Sequence, residues 1–447
     1  MRFESITLKS FPPFADATIG FPQGESKSLA EVHLLTGQNG CGKTRLLCAL
    51  EAAAGNDADL KARLDPFSES DVIVVAKSDE LAAIYIQTLR KVLEIEDDEM
   101  MRAITDHYCN GGLRDRSGKI LDPRLVRPIR NTSETNTISW AARRGPTAAQ
   151  SYRGTNRISD QKISALAPVP IGDPISHLSL ERNNSDDGIV CQSMANLKLG
   201  AAMESQGGVP RSEARSTKII ERFESAMRTV TGREFTFLVR PQPDVHLVVR
   251  WGTTSMKLSL LPDGLRSIIA WLVACVAKLE SQFPDHPDPL DIPLILFLDE
   301  PESHLHPAWQ RQLLPAAQQL FPNAQIFAAT HSPFVISSVN SGWIHIFRAD
   351  DSGVVTADKP IACSKGDTYM DVVDDILGLN QWYDPETEGL LIKFREIREK
   401  VLSGDADLKV LEEQAAVIAQ RSDSLSGMMA RELSQARRLL TQETLAQ

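Results

Sequence analysis

One stretch, Gly37-Gln-Asn-Gly-Cys-Gly-Lys43-Thr44, restricts what this chain can fold into more than any other. It has the form G-x-x-x-x-G-K-[ST], follows the apolar run 32–35, and precedes a helical pattern over 43–54 that Gly55 stops. Strand, glycine-rich loop and helix in that order make a polyphosphate cradle rather than an ordinary turn. Across Gly37, Asn39, Gly40, Cys41 and Gly42 the backbone N–H groups can close around phosphates, and the helix N-terminus adds its positive dipole end. Lys43 is placed to reach the β- and γ-phosphates of ATP, and the Thr44 hydroxyl to bind Mg²⁺.

Two later segments complete that chemistry. The apolar run 292–298 delivers Asp299-Glu300-Pro-Glu302 at its end. Asp299 suits the Mg²⁺ role, and Glu300, pointing elsewhere, suits a base for the attacking water. About thirty residues on, Ala328-Ala-Thr-His331-Ser-Pro puts a histidine at the end of the next strand pattern. A histidine there can donate to a γ-phosphate oxygen and respond to its loss.

The 447 residues carry 48 basic and 59 acidic side chains, a net charge of −11, so the chain does not coat a polyanion through its overall charge. The distribution is uneven. Residues 111–162 hold eleven basic residues against four acids, +7, which leaves −18 elsewhere. That stretch is rich in Pro, Gly, Ser, Thr and Asn, and reads as an irregular insertion able to meet a nucleic acid or an acidic protein. Only Trp140 and Tyr152 within it could stack on bases. Six cysteines without a C-x-x-C pair read as reduced thiols. No signal peptide is visible, and the longest apolar run, 268–277, is too short to span a bilayer. The expectation is a soluble cytoplasmic protein with no membrane partner.

Periodicity predicts strands over 72–76, 234–239, 246–251, 293–298, 325–329 and 343–347. It predicts helices over 79–107, 219–230, 265–279 and 308–320, then two amphipathic helices over 388–402 and 406–440. The expected divisions are a first head lobe, 1–78; an insertion, 79–216, helical then basic and irregular; the rest of the head, 217–360; and a helical C-terminal domain, 361–447.

The three motifs together resemble the ABC-type ATPase heads of the SMC-like and OLD families, over 1–55 and 217–348. The phrase Asp299-Glu-Pro-Glu302-Ser-His304-Leu-His306-Pro307 is similar to a run of that group, which accounts for both histidines without a metal site. The resemblance implies an α/β P-loop head with a mixed sheet and flanking helices, ATP and Mg²⁺ as ligands, Glu300 as base and His331 as switch. It also implies a homodimer in which a signature turn closes the site of the other copy. The matching turn is Leu261-Pro-Asp-Gly264-Leu265, with Pro262 where serine is expected, leaving the Gly264 backbone as the contact. Gln161 and Gln192 are both candidates for the family's glutamine loop.

The 99 residues beyond 348 read as helices rather than as a Toprim nuclease, although Asp405-Ala-Asp407 occurs among them, and the insertion is too short and irregular for a long heptad arm. The chain therefore resembles the ATPase subunits of two-component antiphage systems such as Septu, Septu-like retrons and PARIS. That implies a sensor and scaffold controlling a separate effector, a nuclease or toxin, with a phage protein or nucleic acid as trigger. A RecF-like DNA-repair ATPase is the alternative.

Overall fold

The computed structural model describes residues 2–9, 11–24, 29–53, 72–78, 82–87, 128–130, 137–140, 148–153, 186–210, 213–240, 246–363, 369–378 and 383–446. They fall into two compact units, Met1–Val372 and Val373–Gln447.

The first unit opens with β1 (Phe3–Lys9), β2 (Ala17–Gly20), β3 (Glu31–Gly37) and α1 (Lys43–Ala53). Strands β4 (Val72–Ser78), β5 (Ala82–Gln87), β6 (Pro128–Arg130), β7 (Thr137–Trp140) and β8 (Ala148–Arg153) come next. Helices α2 (Asp186–Gln206) and α3 (Arg215–Thr231) precede a meander of β9 (Phe235–Arg240), β10 (His246–Trp251) and β11 (Thr254–Lys257). Then come α4 (Asp263–Gln282), β12 (Leu294–Asp299), α5 (Pro307–Leu320), β13 (Ala324–Ala329) and α6 (Pro333–Ile336). Strands β14 (Trp343–Ala349), β15 (Val355–Ala357) and β16 (Ile361–Ala362) follow.

Three sheets result. The largest runs β15-β14-β3-β13-β12-β8, with β16 also on β14. Its members β14, β3, β13, β12 and β8 are parallel, while β15 and β16 run antiparallel, which makes it mixed. An antiparallel sheet runs β2-β1-β4-β5-β7-β6, and α1 packs against strands of both sheets. One core unites them: Phe3, Ile6 and Leu8 from the antiparallel sheet, Leu46, Leu47 and Leu50 from α1, and Phe297, Phe327 and Phe347 from the mixed sheet. Strands β3, β12 and β13 are apolar on both faces because helices or strands cover each side, the usual mark of a buried parallel sheet. Their C-terminal ends carry all three motifs, where open α/β sheets bind ligands.

Four expectations change. Helical spacing over 79–107 gives way at Ala82–Gln87 to β5, whose Ile84 and Ile86 pair with Val75 and Ile73 of β4. β-Branched residues with a partner strand override a weak helical period; residues 88–107 lie outside the described set. Within the insertion, β8 pairs in parallel with β12, and β7 pairs with β5, so described parts of 79–216 complete head sheets. Helix α2 was not evident from periodicity; its Glu204 accepts from Ser216 N at 2.7 Å and Thr217 N at 3.0 Å, capping the start of α3 from another element. The remaining residues of 111–162 lie outside the described set.

The fourth change is in the second unit, where the described residues 385–446 form three α-helices in place of the two expected: α7 (Pro385–Leu402), α8 (Leu408–Ala419) and α9 (Asp423–Ala446). The break at 420–422 is made by Ser422, whose Oγ accepts from Leu425 N at 3.2 Å at the start of α9. Leu391, Phe394, Leu411, Ile418, Leu425 and Met429 form the core of this bundle.

Candidate nucleotide site

The parallel strands deliver the site residues. Gly37 ends β3 at φ +147°, where a Cβ would lie 2.2 Å from the Phe347 carbonyl oxygen of β14, so only glycine fits. The loop turns from there into α1. Lys43 is buried, and its Nζ donates to the carbonyls of Gly37 at 3.2 Å and Gln38 at 3.1 Å. Thr44 Oγ1 donates to Asp299 Oδ1 at 3.0 Å, across 255 residues of sequence.

Asp299 ends β12 opposite Ala329 of β13, and Glu300 N still donates to Ala329 O at 2.9 Å. Glu300 then takes φ +50°, left-handed for a residue with a Cβ, and His304 does the same at +67°. Such conformations cost about 1 kcal/mol or more each, and here they turn the acid loop sharply after the strand. His331 Nε2 lies 3.7 Å from Glu300 Oε1. Asn39, Gly40, Gly42, Lys43, Thr44, Glu300 and His331 line one cleft of about 470 Å³ together with Pro13 and Arg45.

The electrostatics suit a base. Burial first, then the neighbouring charges of Glu302 and Asp299, push Glu300 up to about 7, with Lys43 opposing. Burial likewise raises Glu302, whose carboxyl accepts from the Thr330 hydroxyl. His331 is lowered by desolvation and by Lys43, which leaves it neutral near pH 7 with one N–H to donate.

Thr44 and Asp299 are held together by one hydrogen bond, and mutually repelling carboxylates stand beside them, a donor set that fits Mg²⁺. Among the described residues no cluster of three His, Cys, Asp or Glu side chains could hold a metal alone. An ion completed by phosphate oxygens, as Mg²⁺ commonly is, needs no such cage.

Other expected positions fall elsewhere. Cys41 is buried beneath the loop, within 3.6 Å of Lys43 Nζ. Gly264, in the first turn of α4, is buried; a Cβ there would lie 2.8 Å from His304 O and 2.7 Å from Leu305 Cδ2, so glycine lets α4 approach the acid loop within one protomer. It does not line the cleft. Gln192 sits in α2 bonded to Asn196 at 2.8 Å, and Gln161 lies outside the described residues. His306 is the N-cap of α5, accepting from Ala308 N at 3.2 Å. Pro13 and Arg45, which also line the cleft, have no sequence signal; Arg45 NH1 donates to the carbonyl of Pro12.

Among the described residues, no helix is long and apolar enough to cross a membrane.

Comparison with known proteins agrees with this geometry. Residues 130–337 match the family described as AAA domain, putative AbiEii toxin, Type IV TA system, and residues 1–53 match an AAA domain family. The chain is 30% identical over 114 residues to the Retron Ec83 probable ATPase of Escherichia coli, covering 26% of this chain and 21% of the relative. It is 30% identical over 109 residues to the Retron Vc95 probable ATPase of Vibrio cholerae, covering 24% and 21%. It is 23% identical over 171 residues to the Septu protein PtuA of Bacillus thuringiensis, covering 37% and 42%. The matches thus span about a fifth of the retron relatives and under half of the Septu one. Among solved structures, an SMC head bound to the C-winged helix domain of ScpA aligns with a TM-score of 0.41 at 14% identity, covering 81% of this chain and 98% of that one. Site geometry, family matches and relatives point the same way: the chain carries a P-loop ATPase fold with a mixed sheet and flanking helices, and is similar to AAA-domain proteins and to the retron and Septu ATPases.

Proposed function

We propose that this protein binds ATP between two copies of itself, hydrolyses it, and uses that cycle as the sensor and scaffold of an antiphage system that controls a separate effector, a nuclease or toxin. The observation that carries the catalytic part is the Thr44–Asp299 hydrogen bond, with Glu300 and His331 on the same cleft. It joins the phosphate loop to the acid strand at the spot where phosphoryl transfer needs a cation.

Lys43 exchanges its loop carbonyls for β- and γ-phosphate oxygens. Thr44 and Asp299 would hold Mg²⁺, which would supply charge neutralisation at the phosphates. Glu300 takes a proton from the attacking water; a carboxyl held near 7 is a stronger base than an ordinary glutamate. His331 donates to the γ-phosphate and lets go when that phosphate leaves. The second copy completes the site with the N-terminus of α4; Gly264 itself is buried there, so the exposed edge of the turn, Pro262 and Asp263, faces the other copy, with the Asp263 charge offset by Arg266.

The effector role is supported by the similarity to the retron and Septu ATPases. Its test is to purify the Glu300→Gln protein with ATP from its native host and weigh what accompanies it. A nuclease- or toxin-sized chain in fixed ratio supports the reading. A bare protein whose wild-type turnover rises with DNA would replace it by a DNA-repair ATPase.

A further inference from the structure

Two loops meet in the cleft, the acid loop after β12 and the switch loop after β13, and two side chains outside the phosphate site tie them together. Glu302, only 5% exposed, accepts from the Thr330 hydroxyl. Thr330 Oγ1 in turn accepts from Ser332 N at 3.0 Å. From the other side, Ser332 Oγ donates to Gln310 Oε1 at 2.6 Å, and Gln310 Nε2 donates to Leu305 O at 3.0 Å. Ser332 Oγ also accepts from Phe334 N and Val335 N, anchoring the start of α6. His331 is therefore flanked by two residues, Thr330 and Ser332, each gripped from the acid-loop side: by Glu302 within the loop and by Gln310 from the first turn of α5.

The network is buried at Glu302, Thr330 and Ser332 and half-buried at Gln310. The strand ladder already joins β12 and β13, down to Glu300 N on Ala329 O. The extra bonds act beyond the ladder, where the chain carries the base and the switch.

We propose that Glu302 and Gln310 are positioning residues: they brace the switch loop so that His331 stays within reach of Glu300, coupling γ-phosphate contact to water activation. The inference rests on the ATPase reading for its consequence and on the hydrogen bonds alone for its existence. Neither Glu302 nor Gln310 lines the cleft; both act through the loop that carries His331, and Glu302 adds its charge beside Glu300.

Two measurements test it. In nucleotide-free protein, amide exchange at Ser332 should speed by about tenfold or more in Glu302→Ala and in Gln310→Ala, and change little in Glu302→Gln, which keeps the acceptor for Thr330. In single turnover, Glu302→Ala should lower the hydrolysis rate by about tenfold or more with ATP affinity held within about threefold, and Glu302→Gln should retain most of the rate. The double variant Gln310→Ala with His331→Ala should be no slower than His331→Ala alone, since Gln310 is uncharged and acts only through the loop that carries His331. Unchanged exchange in both alanine variants overturns the brace, whether or not the chain hydrolyses ATP. So does a double variant whose losses multiply. A wild-type chain that binds ATP and never hydrolyses it overturns the ATPase reading instead, so the two failures are told apart.

Discussion

Two glutamate–histidine pairs stand at opposite ends of the parallel strands of one sheet, Glu31–His33 on β3 and Glu300–His331 after β12 and β13, and their chemistry is opposite. At the N-terminal end, Glu31 Oε1 meets His33 Nε2 at 2.5 Å, and Arg2 grips the same carboxylate. At the C-terminal end, Glu300 and His331 stand 3.7 Å apart with side chains 40% and 35% exposed. Burial works to raise Glu31, yet hydrogen bonds and charges from His33 and Arg2 overcome it and hold the carboxyl at about 2. Glu300 has carboxylates for neighbours instead, and is pushed up to about 7. The difference is the neighbouring charge: a fixed arginine at one end, further carboxylates opposed by Lys43 at the other.

The N-terminal pair is also part of a proton-ordered chain. Both imidazoles are fully buried and desolvation lowers both, His345 to about 3, so they are neutral. With Glu31 as acceptor, His33 Nε2 carries the hydrogen, and its Nδ1, 3.1 Å from His345 Nε2, accepts from that ring. His345 Nδ1 is then a bare lone pair, in accord with its lacking a partner. Gln325 seals the cluster by accepting from Phe3 N at 2.8 Å and donating to Phe3 O at 2.9 Å, which fixes β1 against β13.

Exchanging the roles of the two pairs should fail in distinct ways. The largest effect is expected for Glu300→Gln, which should lower ATP hydrolysis by about 10²-fold or more while retaining nucleotide and accumulating a dimer, checked by turnover and light scattering. Normal turnover would remove Glu300 from the role of base. Lys43→Ala should abolish measurable nucleotide binding in titration calorimetry.

Next, Glu31→Ala should destabilise the head by about 3 kcal/mol in chemical denaturation, since it strands Arg2 and a buried histidine chain. Its effect on ATP affinity should stay within about twofold; a large loss of affinity would mean that the two ends of the strands are coupled.

The pH dependences should run in opposite directions. Glu31 has a depressed folded value, so its stabilisation is present above about 4.5 and lost as pH falls towards about 2. The lowered histidines act the same way from 6.5 downward, because the unfolded chain takes up protons that the folded one refuses. Glu300 is raised, so in nucleotide-free protein it favours folding at acid pH and loses that contribution as pH rises from 4.5 through 7. Glu300→Gln should flatten that second arm of the stability curve only, and a wild-type rate that does not rise with pH through about 7 would contradict the base assignment. The smallest effect is expected for Arg2→Lys, about 1 kcal/mol in thermal unfolding, for the loss of a two-pronged grip on Glu31 and a bond to Phe21 O.

Much of the cleft was legible in one dimension. A glycine-rich loop, an acid pair and a histidine each end an apolar run, and backbone sterics with strand burial leave few other folds for that order. The brace was not legible. Glu302 reads as one more acid in a run, and Gln310 as a polar position on an amphipathic helix; only the closure of two loops brings them to Thr330 and Ser332. Gly264 illustrates the same limit, since the sequence marks a turn before a helix and not the His304 carbonyl that packs on it. Likewise β5 carried a helical spacing until β4 supplied a partner.

Local chemistry therefore decided the phosphate loop, the acid and switch motifs, and the helices α3, α4 and α5, because their signals lie within a few residues and follow short-range periodicity. Tertiary structure alone decided which acids titrate high or low. Glu31 and Glu300 are the same residue type beside the same residue type, and what separates them is an arginine from β1's leading end against an array of carboxylates, set by strands that meet only in the folded sheet.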